Sequence, residues 1–166
     1  MSASTPQVLY TPAQRARRDA SAWTMVQGVL APLQFAVFLA SLYLVLTSLS
    51  SGEHTDWALW SVVVKTLVLY AIMVTGAIWE KVVFGQYLFA AAFFWEDVVS
   101  MLVLALHTAY LWVWWQGLWS PKAQLWLALT AYLTYAFNAA QYVLKLRMAR
   151  LQAAQFSSAP GSQVGA

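Results

Sequence analysis

Four apolar stretches, residues 26–49, 59–79, 98–115 and 125–144, take up half of the chain. Each is close to the about 20 residues that a helix needs to cross the hydrocarbon layer of a bilayer. A segment in lipid has no water to satisfy its backbone, so it must bond to itself as a helix or close into a barrel. Of Asp, Glu, Lys, Arg and His, only Lys65 and His107 interrupt these stretches. Charged residues make up 9% of the chain and apolar ones 61%; a soluble domain carries about 25% charge. The fold class expected is all-α: a polytopic membrane protein, built as a bundle of four transmembrane helices.

The remaining sequence divides around that bundle. Residues 1–22 are polar, contain Pro6 and Pro12, and read as an extended start followed by a short basic helix on the membrane surface. Residues 23–150 form the transmembrane domain, and 151–166 a disordered tail rich in Ser, Ala and Gly. The run after Arg15, Arg17 and Arg18 is longer than a signal-peptide core and lacks a convincing small-residue cleavage site, so it reads as a retained first span. Residues 82–95 are apolar but broken by Gly85-Gln86-Tyr87. They are too short to cross and return, and read as an interfacial or re-entrant segment between spans 2 and 3.

Lysine and arginine set the orientation. Three lie before the first span, one in the second connection and three at the C-terminal exit, against Lys122 alone in the third connection and none in the first. The excess places both termini and the connection from Glu80 to Asp97 in the cytoplasm. Trp57 and Trp60, and Trp112, Trp114, Trp115 and Trp119, read as aromatic belts. Lys65 lies inside span 2, near enough to the interface to snorkel. Cysteine is absent, which excludes disulfides, thiolate metal sites and cysteine nucleophiles. No nucleic-acid motif, phosphate loop, GxSxG or HExxH occurs.

Polar residues inside the spans fall on stripes. Gln27, Gln34 and Ser41 recur every seven residues. Lys65, Leu69, Ile72, Gly76 and Glu80 share one face, as do Asp97, Ser100, Leu104, His107 and Leu111. Thr130, Thr134, Asn138, Gln141 and Lys145 are expected to face the bundle interior. Interhelical hydrogen bonding accounts for such residues in a membrane, and Gly76 permits a close neighbour.

Chemistry is expected where spans 2 and 3 meet, at Glu80, Lys81, Glu96 and Asp97. Clustered carboxylates at a dry boundary hold protons more tightly, which suits a general acid. The same residues also suit a structural role: Glu96 and Asp97 as favourable charges at a helix N-terminus, Glu80 and Lys81 as a solvated pair. His107 is costly in mid-span. It suits either the axial site of a tetrapyrrole metal or a hydrogen bond to Tyr70 or a span 4 threonine. Glu53, His54 and Asp56 invite a metal reading of the first loop, or are simply solvated.

The runs YTPAQRARRDAS, WTMVQGVLAPLQF, VTGAIWEKVVFGQYLFAAAFFWEDVVSMLVLALHTAYL and NAAQYVLK resemble the 3-vinyl bacteriochlorophyllide hydratase family, also called chlorophyllide 3-vinyl hydratases, from Tyr10 to Arg150. The resemblance implies an enzyme of bacteriochlorophyll synthesis in the inner, intracytoplasmic membrane of a phototrophic bacterium. It implies hydration of the ring A vinyl group of chlorophyllide a or a related bacteriochlorin to a 1-hydroxyethyl group, later oxidised by a dehydrogenase. No redox cofactor is implied, and organisation with other enzymes of the pathway is an expectation. The resemblance brings no site residues with it. From the residues themselves, Glu96 or Glu80 is expected as the acid and Asp97 as the group that positions water. His107 or a water is expected on the substrate magnesium, Lys81 at the propionate, and Trp79, Tyr87, Phe94 and Trp95 against the macrocycle. A pigment-binding or assembly protein without turnover, and a proton-coupled transporter using Lys65 and Glu80, remain alternatives.

Overall fold

A computed structural model describes residues 9–158, with side chains as far as Leu151. These residues form five helices and no strand: α1 (Pro12–Ala20), α2 (Ala22–Ser51), α3 (Thr55–Phe84), α4 (Phe94–Trp115) and α5 (Pro121–Ser158). The all-helical class follows. Helices α2, α3 and α4 are each long and apolar enough to cross a membrane. The expected extended stretch at residues 1–8 and the last part of the expected tail, 159–166, lie outside the described residues.

The helix ends follow local chemistry. Thr11 and Gln14 form a reciprocal capping box at the start of α1, with Pro12 in its first turn. Ser21 closes α1 and caps α2 through its hydroxyl, which accepts from the Trp23 N–H at 3.2 Å. Gly85, at φ 89°, ends α3 in the left-handed region, where a side chain would be strained. α2 packs along α3 and α4 along α5. α5 also touches α2 and α3, and α1 lies on α3.

The exterior carries many large apolar side chains, while a set of polar groups is buried within the apolar core. Met25, Tyr43, Val74, Trp95, Leu133 and Phe137 are exposed, while Gln34, Ser41, Lys65, Ser100, His107 and Asn138 are buried. An apolar exterior, with polar groups turned inward to bond one another, suits lipid as the surrounding solvent. The interior groups bond across helices: Gln27 to the Thr75 hydroxyl at 2.7 Å, Ser41 to Ser61 at 2.6 Å and to Tyr132, Trp79 to Thr24 at 3.0 Å, and Tyr110 to the Leu59 carbonyl at 2.9 Å. Apolar packing supplies the rest, with Phe38 against Tyr132 and Tyr135 between α2 and α5.

Several expectations change. Residues 82–95 do not form one interfacial segment: α3 continues to Phe84 because Val83 extends its buried face, α4 begins at Phe94, and only 85–93 connect them. The C-terminal helix runs to Ser158, past the expected start of the tail at residue 151. Thr130 is exposed, since its hydroxyl is satisfied by the Trp126 carbonyl of its own helix, whereas Asn138 does face inward. Gly76 faces Gln27, whose Oε1 lies 3.7 Å from where a Cβ would sit. Glu53, His54 and Asp56 do not converge: among the described residues no group of three His, Asp or Glu could hold a metal.

Lys65 does not snorkel. It is 0% exposed, its Nζ lies 3.0 Å from His107 Nε2, and it sits 3.8 Å from the centroid of the Tyr135 ring. His107 Nδ1 lies 2.8 Å from the Val103 carbonyl oxygen, so it carries the proton, and Nε2 accepts from the lysine. The pair ties α3 to α4 beneath a ring from α5. His107→Leu should leave the lysine amine without that acceptor and cost about 1–3 kcal/mol, read as a lower unfolding temperature in detergent. Lys65→Met added to His107→Leu should recover most of the loss. A single variant as stable as the parent would contradict the pairing.

Candidate active site

The polar groups gather most densely at one end of the bundle, where α3 ends and α4 begins. Glu80 lies on the buried face of α3 in its last turns, and Glu96 and Asp97 lie in the first turn of α4. Their exposures are 5%, 7% and 2%. Adjacent residues on a helix point about 100° apart, so Glu96 and Asp97 serve different neighbours. Glu96 Oε2 receives the Lys145 ammonium of α5 at 2.6 Å. Asp97 turns toward α3, where burial, together with the Asp97 charge, raises the proton affinity of the neighbouring Glu80 carboxyl.

The 85–93 connection folds down onto this pair. Phe89 takes a left-handed conformation, φ 60°, unusual for a residue with a side chain. That turn presents two successive backbone N–H groups to the carboxyls. Phe89 N–H donates to Asp97 Oδ2 at 2.7 Å, and Ala90 N–H donates to Glu80 Oε2 at 3.3 Å. The Tyr142 hydroxyl of α5 donates to Asp97 Oδ1 at 3.1 Å. Two carboxyl groups in contact cannot both ionise cheaply, so one proton held between them is the favourable state.

An aromatic cluster packs beside the carboxyls. Phe93, 2% exposed, meets Trp79 and Phe84 edge-on and stacks on Tyr142. Buried Tyr10, from just before α1, stacks on Phe84. A cleft of about 490 Å³ opens here, walled by Leu9 and Gln14 from the N-terminal segment, Phe84 from the end of α3, Gln86 and Ala90 to Ala92 from the connection, and Lys145, Met148 and Ala149 from α5. Its volume lies in the range of small-molecule sites. Ala90 and Lys145 each touch both the cleft and a carboxylate.

Of the residues expected at the site, the structure brings Glu80, Glu96 and Asp97 together and sets Trp79 behind them. It does not bring the others. Lys81 donates to the Gly85 carbonyl at 2.8 Å and lies 5.3 Å from the Tyr87 ring centroid, outside the cleft wall. Tyr87, Phe94 and Trp95 are exposed and do not line the cleft. His107 lies about 15 Å from Asp97 along α4, fully buried, with both ring nitrogens engaged by Lys65 and Val103. The axial position expected for it is therefore not available at the cleft.

Three contributors escaped the sequence pattern. Lys145 stood at the end of the inward α5 stripe, but nothing in the sequence linked it to Glu96, 49 positions away. Tyr142 carried no signal apart from its proximity to that stripe. The N–H groups of Phe89 and Ala90 depend on a backbone turn that composition does not mark.

A model of the family described as 2-vinyl bacteriochlorophyllide hydratase matches residues 10–148. A protein of Cereibacter sphaeroides named 2-vinyl bacteriochlorophyllide hydratase is 64% identical over 144 residues, covering 86% of this chain and 89% of that protein. One of Rhodobacter capsulatus with the same name is 62% identical over 146 residues, covering 88% and 85%. No solved structure matches the chain. The vinyl position written 2 in these names and 3 above reflects two numberings of the macrocycle.

Proposed function

The chain belongs to the 2-vinyl bacteriochlorophyllide hydratase family, and from that membership we propose how its carboxyl groups divide the work. The enzyme is a hydro-lyase of bacteriochlorophyll biosynthesis: it adds water across the vinyl group of a bacteriochlorophyllide-type substrate. Proton transfer to the outer vinyl carbon leaves a cation on the carbon joined to the macrocycle, which the ring delocalises. Water adds at that carbon and loses a proton, giving the 1-hydroxyethyl group. The reaction needs an acid, a base for the water, and negative charge near the cation.

Glu80 is the proposed acid and Asp97 the proposed base. The supporting observation is that successive N–H groups of one connection hold the two carboxyls, with Ala90, the donor to Glu80, also walling the cleft. Glu96 is ion-paired to Lys145, so it serves as a fixed anion rather than the acid, and contributes electrostatic stabilisation of the cation. Lys145, at the cleft wall, is the cation best placed for the free propionate of the substrate, in place of Lys81. Phe84 offers a ring face, and a water or Gln86 serves the substrate magnesium in place of His107. Tyr87, Phe94 and Trp95 face outward toward lipid.

In the membrane, α5 is the proposed fourth span, with both termini and the carboxyl cluster on the cytoplasmic side of the bacterial inner membrane. This orientation lets a lipid-soluble chlorin reach the cleft from the cytoplasmic leaflet and pass to other enzymes of the pathway. Because the chain has no cysteine, single substitutions report sidedness directly. Ser51→Cys should react with an impermeant maleimide on intact cells, and Gln86→Cys only after the membrane is opened; the reverse would contradict the orientation.

Hydration assays on membranes carrying amide variants test the division of labour. Glu80→Gln and Asp97→Asn should each lose about 10²–10⁴-fold in rate, the span of general acid–base catalysis. Glu96→Gln should keep the greater part of its activity, since its amide oxygen can still accept from Lys145. Near-normal turnover in all three would sink the assignment, and pigment bound without turnover by the parent chain would favour a binding protein.

A further inference from the structure

Asp97 and Glu80 are not held alike. Asp97 receives a donor on each oxygen, the Phe89 N–H at 2.7 Å and the Tyr142 hydroxyl at 3.1 Å. Glu80 receives one backbone donor at 3.3 Å. Tyr142 comes from α5 and is itself braced: its ring stacks on Phe93 with centroids 5.8 Å apart and planes 23° from parallel. Close by, Asn138 of α5 donates to the Ser100 hydroxyl at 2.7 Å, which ties the same face of α5 to α4. The charged and titratable groups facing Asp97 are Glu80 from α3, Glu96 beside it on α4, Tyr142 from α5, and Lys145, whose ammonium is bonded to Glu96.

We infer that Tyr142 is a positioning residue that keeps Asp97 the proton acceptor of the carboxyl pair and so leaves the shared proton on Glu80. A hydroxyl donor stabilises a carboxylate more than a carboxylic acid, and Asp97 has two donors where Glu80 has one. The inference rests on the acid–base reading above and adds how the pair resets. Glu80 gives its proton to the outer vinyl carbon and becomes an anion. Water adds to the resulting cation and passes its proton to Asp97. The proton then returns from Asp97 to Glu80 across their contact, and the donor from Tyr142 sets the direction of that return. One water is consumed, no electron is exchanged, and both carboxyls regain their starting states.

Tyr142→Phe keeps the ring on Phe93 and removes only the donor. Its kcat for chlorophyllide hydration should fall about tenfold or more, with KM little changed. The acidic limb of its rate–pH profile should move to higher pH, because an Asp97 with one donor fewer keeps its proton further up the scale. Tyr142→His, which returns a ring N–H, should restore part of the rate and move the limb back. Loss of packing alone would lower the yield of folded protein without moving the limb. Wild-type kcat and an unmoved limb in Tyr142→Phe, or equal losses in both variants with the limb unmoved, overturn the inference. If Glu80→Gln and Asp97→Asn are inactive in the same assay, the acid–base reading survives that result. An active Asp97→Asn overturns both.

Discussion

The dominant constraint is the cost of burying three carboxyl groups at the end of an apolar bundle. An unpaired charge in such a place costs several kcal/mol, so each group must find a partner, and the partners account for the local architecture. Glu96 has the ammonium of Lys145. Glu80 and Asp97 have one another and the two N–H groups of the connection between their helices. That requirement explains why Phe89 is held at a positive φ: the turn that aims its N–H at Asp97 also aims the N–H of Ala90 at Glu80. It also explains why α5 must lie against α4, since Lys145 and Tyr142 are the side chains that complete the set.

A second polar centre, Lys65 with His107, meets the same constraint deeper in the bundle and by different means. Its partners are an imidazole and the face of a tyrosine ring. The two centres lie on one continuous inner face of α4, through Asp97, Ser100 and His107. The deeper pair clamps helices together; the carboxyl pair lies behind a cleft whose wall includes Ala90, the N–H donor to Glu80. Burial therefore does not by itself mark the site. What separates them is the cleft beside the carboxyls, walled in part by Ala90 and Lys145, together with two neighbouring carboxyls between which a proton can pass.

How much of this was legible in the sequence depended on the range of the interaction. Helical periodicity put Glu80, Asp97, Ser100 and His107 on inward faces, and all are buried. The scarcity of charge gave the membrane class, since an exterior of Leu, Val and Trp needs lipid around it. The carboxyl cluster was legible because Glu80 and Glu96-Asp97 flank a short connection that brings them together. Lys145 and Tyr142 reach the site from another hairpin, and no local pattern reports which rows of α4 and α5 align. The partner of His107 was hidden for a related reason: Lys65 looked close enough to the interface to escape, and only the packed bundle shows that it does not. Tyr87, Phe94 and Trp95 looked like walls for a flat ligand because an aromatic residue at a membrane boundary serves equally well facing lipid.

The central claim is that this bundle adds solvent water to a vinyl group through the Glu80–Asp97 pair. Its most direct test is mass spectrometry of the product formed when membranes carrying the chain, or its Asp97→Asn variant, are incubated with chlorophyllide a in ¹⁸O-water. The account predicts a hydrated product carrying the label with the parent chain, and none above control membranes with the variant. Labelled product at the parent rate from Asp97→Asn would contradict it.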